Sequence, residues 1–207
     1  MNPAVTLSEQ TSADIARKGT IFVLSAPSGA GKRTVLKRVF DDDAQLGYSI
    51  SATTRPRREG EIEGQDYYFL DRDEFQRRIE AGDFVEWAEV HGNLYGTLVE
   101  ELERLTGSGM DTVLELDVQG MRNLKTRGLE IVSVFVMAPS LDELERRLRA
   151  RATDHPEVIA LRLGNALDEI AARHEYDYVI VNAHLDDAVD DLKAIIRAER
   201  CRAHRQP

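Results

Sequence analysis

Short apolar runs alternate with amphipathic stretches along most of this chain. Runs of consecutive apolar residues predict buried strands at 20–26, 112–116, 131–136 and 178–181. Apolar residues that recur every three or four positions predict helices at 31–41, 119–126, 140–149, 156–173 and 184–202. Buried strands that alternate with helices favour an α/β fold, with a mainly parallel sheet flanked by helices.

This alternation changes between residues 51 and 97, where the predicted strands become shorter. The pattern predicts strands at 48–54, 67–70 and 84–91, with helices at 72–81 and 98–105. Asp71 and Gly82 are predicted to cap the first of these helices, and Thr97 the second. Residues 92–96 are predicted to form a turn.

The change of pattern predicts how the chain is organised. Residues 51–97 are expected to form a small inserted lobe, while 19–50 and 98–207 form the core. Residues 1–18 are polar and are predicted to be a flexible tail.

Length and charge narrow the classes of function. With 207 residues, the chain is long enough for one α/β domain with a substantial core. Its 37 acidic residues outnumber its 27 basic ones, and the net charge of −10 argues against nucleic acid or a membrane surface as partner. An anionic substrate would therefore require a local cluster of arginines.

Cysteine usage and hydropathy indicate the compartment. Cys201 is the single cysteine, so no disulfide can form within the chain, which favours a cytoplasmic location. No apolar stretch approaches the length of a membrane span, and the first residues lack the apolar core of a signal peptide. These features are compatible with either a monomer or a homo-oligomer.

A glycine-rich segment joins the first predicted strand to the first predicted helix. Strand, glycine-rich turn, lysine and helix together predict a phosphate-binding loop, because the backbone N–H groups of the turn and the helix N-terminus favour an anion. The residues of this predicted ATP site are Ala26, Pro27, Ser28, Gly29, Ala30, Gly31, Lys32, Arg33 and Thr34. The alternative is an ordinary glycine-rich turn with a surface lysine.

Two positions depart from the usual phosphate-loop pattern. Ala26 replaces the first glycine, and Arg33 stands where many such loops have a hydroxyl that binds Mg²⁺. Thr34 follows directly and could serve in its place.

Seven segments, in order from Gly19 to about Arg200, resemble the guanylate kinase family of nucleoside monophosphate kinases. They are residues 26–32, 51–55, 58–61, 64–69, 84–88, 92–97 and 115–120, which read APSGAGK, SATTR, REGE, GQDYYF, FVEWA, GNLYGT and ELDVQG. The resemblance implies a P-loop kinase core, a GMP-binding lobe over 51–97 and a helical lid over about 140–173. It also implies the reaction of ATP with GMP to give ADP and GDP, with Mg²⁺ carried on ATP.

The resemblance assigns roles to individual positions. Lys32 would act on the transferred phosphoryl group, together with lid arginines at Arg147, Arg151 and Arg162. The positions that match the family's GMP contacts are Ser51, Arg55, Arg58, Tyr67, Glu86, Tyr95, Thr97 and Asp117. No metal ligand is certain, although Thr34 is a candidate for Mg²⁺.

The chemistry of GMP agrees with these residue types. A carboxylate such as Glu86 can accept from the N1–H and N2–H donors of guanine, and arginines can bind phosphate oxygens in pairs. Structural alternatives remain for each group: a solvated turn for the arginines at 55–58, an edge strand for Glu86, helix caps for Asp117 and Thr97, and a charged helix face for the lid arginines.

Two other functions remain alternatives. The first is a non-catalytic binding module with a guanylate-kinase-like fold, against which Lys32 and Glu86 argue. The second is a kinase of similar fold that acts on another phosphorylated metabolite, against which Glu86, Thr97 and Asp117 argue together.

Overall fold

The computed structural model describes residues 17–90, 92–150 and 156–206. The described strands are β1 (Ile21–Ser25), β2 (Leu46–Tyr48), β3 (Ser51–Thr53), β4 (Tyr68–Phe69), β5 (Phe84–Val90), β6 (Asn93–Leu98), β7 (Asp111–Glu115), β8 (Ile131–Met137) and β9 (Tyr178–Val181). The described α-helices are α1 (Lys32–Asp42), α2 (Arg72–Ala81), α3 (Val99–Gly107), α4 (Val118–Thr126), α5 (Leu141–Ala150), α6 (Pro156–Ala171) and α7 (Leu185–Arg200). Short 3₁₀ helices follow at Ala172–Glu175 and Ala203–Arg205.

The central sheet has five parallel strands in the order β2-β7-β1-β8-β9. Successive residues of β1 point to opposite faces, and both faces are buried. Phe22 and Leu24 pack in one cluster with residues of α1 and α7, while Val23 packs in another with residues of α4. Apolar side chains on both faces explain the continuous apolar runs of the sequence. The predicted α/β fold is confirmed.

A second sheet has the strand order β4-β3-β6-β5. Its core contains Ala52, Leu94 and Leu98, together with Phe75 from α2, which stacks on Phe84 at a ring-centroid distance of 4.2 Å. The predicted caps of α2 are confirmed, because the Asp71 carboxylate accepts from the Glu74 N–H at 2.7 Å and Gly82 has φ 80°. Left-handed φ at this position favours glycine.

The single strand predicted at 48–54 is wrong. Leu46–Tyr48 pairs with β7 in the central sheet, whereas Ser51–Thr53 pairs with β4 and β6 in the second sheet. The chain passes from one sheet to the other at Ser49 and Ile50. The alternation of polar and apolar residues continues across this crossing, so the pattern does not reveal it.

The turn predicted at 92–96 is also wrong, as is the helix cap predicted at Thr97. Asn93–Leu98 is a strand that pairs with β3 on one side and β5 on the other. Thr97 lies inside this strand, and α3 starts two residues later, with Leu98 at its cap position. Hydrogen bonds to two neighbouring strands outweigh the low strand propensity of Gly96 and Asn93.

The lid prediction falls on α5 and α6, which pack against each other and against the phosphate loop. Leu144 and Leu148 of α5 form a buried cluster with Ile159 and Ala166 of α6, and Ala30 of the loop belongs to the same cluster. Residues 151–155, between these helices, and most of the predicted tail, residues 1–16, lie outside the described residues. None of the described helices is long and apolar enough to cross a membrane.

Candidate functional site

A cleft of about 740 Å³ lies between the carboxyl edge of the central sheet and the second sheet. Open α/β sheets bind ligands at this edge, outside the carboxyl ends of their parallel strands. On the side of the second sheet, it is lined by Ser51, Tyr67, Glu86 and Thr97. On the side of the central sheet, the predicted ATP-site residues that line it are Ala26, Pro27, Ser28, Gly29, Gly31, Lys32, Arg33 and Thr34. Two groups predicted from separate segments therefore face one space.

The glycine-rich segment forms a tight loop between β1 and α1. Gly29 and Gly31 have φ values of 93° and 91°, a region that side-chain-bearing residues rarely adopt. The Ala30 N–H donates to the Pro27 carbonyl at 3.1 Å, which closes the turn, and α1 begins directly after Gly31. The loop thus has the strand–turn–helix geometry of an anion site.

Lys32 is held at the base of the cleft. Its Nζ lies 3.4 Å from the Leu24 carbonyl oxygen and 3.4 Å from Glu115 Oε2 at the end of β7. Burial lowers the Lys32 pKa, and the charge of Glu115 opposes that shift. The sequence analysis assigned no role to Glu115. Its position at the end of a buried strand, two residues before Asp117, could have marked it as a candidate.

Arg33 and Thr34 both lie exposed in the first turn of α1. The described residues provide no hydrogen bond or ion pair to the Arg33 guanidinium. No group of three or more His, Cys, Asp or Glu side chains that could hold a metal ion occurs within the described ranges.

Three predicted base contacts stand side by side on the second sheet. Ser51 and Glu86 are each paired with Thr97 in the strand register, so the three residues cross neighbouring strands β3, β6 and β5. The Thr97 hydroxyl donates to Glu86 Oε1 at 2.8 Å. Burial raises the Glu86 pKa against the effect of this hydrogen bond, and the charge of Asp117 raises it further.

Asp117 is the N-cap residue of α4. Its Oδ1 accepts from the Gly120 N–H at 2.7 Å, so the helix-cap alternative is realised. The residue still acts on the site electrostatically through its effect on Glu86. Asp117, Arg55, Arg58 and Tyr95 do not belong to the described walls of the cleft.

The predicted phosphate-binding arginines share one charged turn. Arg55 forms a bidentate pair with Glu61, at 3.1 Å to Oε2 and 2.6 Å to Oε1. The Arg58 N–H also donates to Glu61, at 2.7 Å, while the Arg58 side chain is exposed. Hydrogen bonds from Arg55 and from the Arg58 N–H lower the Glu61 pKa. Glu61 had no predicted role, although an acid within a run of arginines indicates such pairing.

Aromatic rings connect this turn with the cleft. The Arg55 guanidinium carbon lies 5.3 Å from the centre of the Tyr67 ring, which is close enough for a cation–π interaction. The Tyr95 ring stands edge-on to Tyr67 at 6.2 Å. Ser49 is a further cleft residue that sequence reasoning missed, and its buried hydroxyl has no hydrogen-bond partner among the described residues.

Two of the three predicted lid arginines lie next to the phosphate loop. Arg147 donates to Glu143 at 2.7 Å and to the Asn182 carbonyl at 3.0 Å. Arg162 Nη1 lies 3.5 Å from the Ser28 hydroxyl of the loop. Glu143 also pairs with Arg146, and these hydrogen bonds lower its pKa to about 2. Arg151 lies outside the described residues.

Comparisons with known proteins agree with this geometry. The family model described as guanylate kinase matches residues 18–199. The guanylate kinase of Geobacter sulfurreducens is 48% identical over 189 residues, which cover 91% of this chain and 93% of the relative. That of Cereibacter sphaeroides is 49% identical over 195 residues, which cover 93% and 92%.

A solved structure gives the same result at the level of the fold. The crystal structure of guanylate kinase from Anaplasma phagocytophilum superimposes with a TM-score of 0.67 at 38% sequence identity. The match covers 93% of this chain and 92% of that chain. The similarity therefore extends over the central sheet, the second sheet and the helices together.

Proposed function

This chain belongs to the guanylate kinase family and phosphorylates GMP to GDP with ATP, and we propose that the cleft binds the two nucleotides with their phosphates facing each other. The alignment of Ser51, Thr97 and Glu86 opposite the phosphate loop is the observation that carries this proposal. It provides a site for a polar base and a site for a polyphosphate across one space of about 740 Å³.

Guanine is selected by the three aligned residues. The Glu86 carboxylate accepts from N1–H and N2–H, while the Ser51 hydroxyl donates to O6, because the one hydroxyl proton of Thr97 already goes to Glu86. Adenine has no proton on N1 and no amino group on C2, so Glu86 would lose both donors of the base. A buried unpaired group costs about 1–3 kcal/mol, and two mismatches would give discrimination of a hundredfold or more. Asp117 supports this site by its charge and by its cap on α4.

The phosphate of GMP is bound at the charged turn. Arg55 and Arg58 supply local positive charge in a protein whose net charge is −10, and Tyr67 and Tyr95 supply hydroxyl groups. The phosphate takes the place of the Glu61 carboxylate on the Arg55 guanidinium. Because Glu61 already orients this guanidinium in a fork-to-fork pair, little reorganisation of Arg55 is needed when the phosphate arrives.

ATP is bound by residues 26–34, with its outer phosphates at the loop N–H groups and at Lys32. Phosphoryl transfer requires positioning and charge neutralisation more than proton transfer, so we assign no general base. Arg147, Arg151 and Arg162 stabilise the transferred group from the lid, over about 140–173. Lid closure excludes water and so suppresses hydrolysis of ATP.

Mg²⁺ bound with ATP would neutralise charge between the phosphate groups. The exposed Thr34 hydroxyl would hold it, and Glu115, which lines the same cleft, would act through water. Residues 51–97 and the lid would move relative to the core as separate units when the nucleotides bind.

We place this reaction in the cytoplasm, with no nucleic acid or membrane partner. The free, exposed thiol of Cys201 is suited to that compartment.

A coupled assay for ADP release tests the proposal directly. With ATP and Mg²⁺ held constant, GMP should support turnover, whereas AMP, UMP and CMP should be at least a hundredfold poorer by kcat/KM. Lys32→Ala should lose several kcal/mol of transition-state stabilisation while GMP still binds. Equal turnover with another monophosphate would refute the choice of guanine, and GMP binding without any turnover would favour the binding-module alternative.

A further inference from the structure

Asn182 connects the phosphate loop with the end of strand β8. It follows β9 directly and is only 5% exposed. Its side-chain amide donates to the Ala30 carbonyl of the loop at 2.8 Å. Its backbone N–H donates to the Met137 carbonyl at the end of β8, also at 2.8 Å, which fixes the residue to the central sheet.

The Ala30 carbonyl needs such a donor for a physical reason. In an anion-binding loop, the backbone N–H groups turn towards the ligand, so that carbonyl groups turn towards the protein interior. A buried carbonyl without a partner is costly and would favour another loop conformation. The Asn182 amide supplies the partner, and it therefore stabilises the orientation in which the N–H groups face the cleft.

The fit around the amide is tight. A Cβ atom added at Gly31 would lie 2.4 Å from Asn182 Nδ2, far inside van der Waals contact. Gly31 also has φ 91°, which favours glycine independently. The glycine before Lys32 thus leaves space for the amide as well as allowing the turn.

The same residue also holds a lid arginine. The Asn182 carbonyl accepts from Arg147 Nη2 at 3.0 Å, while Arg147 Nε donates to Glu143 at 2.7 Å. Asn182 is thus bonded to the sheet, the phosphate loop and α5 at once. The side-chain amide of Asn182 binds the loop, and its backbone carbonyl binds Arg147. These two contacts hold Arg147 close to the loop.

We propose that Asn182 is a positioning residue for phosphoryl transfer, which sets the phosphate loop for ATP through Ala30 and places Arg147 beside it. This inference rests on the proposed function for its meaning in catalysis. Its central claim concerns ATP binding alone, so it can be tested without GMP and without turnover.

The decisive variant is Asn182→Asp, which keeps the shape of the side chain but replaces its donor by an acceptor. At pH 8 the carboxylate would face the Ala30 carbonyl oxygen, and calorimetry should show ATP binding weakened by tenfold or more. Burial and the adjacent carbonyl raise the pKa of such a carboxyl group. As the pH is lowered to 6, the protonated form can donate to Ala30, so ATP affinity should recover towards that of the unaltered protein.

Two further variants complete the experiment. Asn182→Ala should weaken ATP binding about tenfold at every pH while GMP affinity changes by less than about twofold. Asn123→Ala removes an exposed amide on α4 and should change neither affinity. Equal weakening of ATP and GMP, or an Asn182→Asp variant whose ATP affinity does not recover at low pH, would overturn the proposal. Absence of GMP phosphorylation with the expected ATP results would contradict only the proposed function.

Discussion

At the scale of single residues, Glu86 carries a charge that its surroundings disfavour. Burial and the negative charge of Asp117 raise its pKa above the ordinary value of 4.5, so the folded protein holds a proton there at higher pH than the unfolded chain. The contribution of this group to stability therefore falls as the pH rises from 4.5 through the raised pKa, and the cost is fully present above that pKa. In the proposed binding mode, the two N–H donors of guanine would relieve this cost.

Glu86→Gln tests this conflict between stability and recognition. The variant keeps an oxygen acceptor for Thr97 but turns an amide NH₂ group towards the N–H donors of guanine. GMP affinity should therefore fall on the order of tenfold to a hundredfold. ATP affinity should not change, and the melting temperature without nucleotide should be equal or higher. Calorimetry and thermal denaturation measure these effects. A similar loss of ATP and GMP affinity would remove Glu86 from base recognition.

The pH dependence of GMP binding follows from the same residue. Because the ionised carboxylate is needed, GMP affinity should decline as the pH falls towards the raised Glu86 pKa, in a range above 4.5. The Glu86→Gln variant lacks this titration and serves as the control. A decline of equal size in the variant would assign the effect to the GMP phosphate or to another group.

The long side chain of Arg33 has no hydrogen bond or ion pair among the described residues. Arg33→Gly should therefore retain or raise activity, within about threefold, as is usual for a surface substitution. Lys37→Gly, one turn later on the same exposed helix face, controls for the effect of glycine on α1. Complete loss of activity in Arg33→Gly alone would reveal an essential contact with nucleotide.

At the scale of elements, the sequence pattern predicted the central sheet well because strong apolar runs coincide with buried strands. The pattern failed at the strand predicted over 48–54, because the chain crosses there from the central sheet to the second sheet. Leu46 and Ala52 are both buried, but in different clusters, and no local signal marks the crossing at Ser49. The strand that contains Gly96 was missed because its stability comes from two partners distant in sequence rather than from its own residues.

The site was predictable to a similar degree. The loop, strands β3, β5 and β6, and the arginine turn each contain a recognisable pattern, so Lys32 and Glu86 could be chosen from the sequence. The partners of the loop could not, since only the fold brings Glu115 to Lys32 and Asn182 to the Ala30 carbonyl. Their contacts join residues whose side chains carry no distinctive spacing.

The N-cap of α2 provides a prediction for an element outside the chemistry. Asp71→Ala removes the acceptor for the Glu74 N–H and should cost about 1 kcal/mol, a decrease of about 2–4 °C in melting temperature. Activity at low temperature should be unchanged. Asp73→Ala, in the same first turn but without a capping bond among the described contacts, should have a smaller effect. Equal effects would show that helix-dipole charge, and not the cap, stabilises α2.

At the scale of the whole molecule, the second sheet is joined to the core at both of its edge strands. At one edge, the Tyr68 hydroxyl of β4 donates to Glu101 of α3 at 3.0 Å. Val85 of β5 belongs to the buried cluster around α4, and Arg127 of the core donates to the Phe84 carbonyl. The charged turn with Arg55 follows β3. The movement proposed for residues 51–97 must therefore change the contacts at one of these edges.

Small-angle scattering tests the proposed movement of residues 51–97 and the lid relative to the core. A compact chain of this length has a radius of gyration of about 17 Å, and the value should decrease when GMP and a non-hydrolysable ATP analogue are both present. Each nucleotide alone should produce a smaller decrease, because only together do they connect both sides of the cleft. An unchanged scattering curve with both ligands bound would show that the described conformation is already closed.

The bidentate pair of Arg55 with Glu61 has a consequence for inhibitor design. In the proposed binding mode, a compound that carries a phosphate or a carboxylate must first displace Glu61 from the Arg55 guanidinium, so part of the energy from its own charge is lost in the exchange. A neutral acceptor that approaches Tyr67 would leave the pair intact. Ligands designed for the proposed GMP site should therefore gain more potency from groups that contact Glu86 and Ser51 than from additional anionic groups.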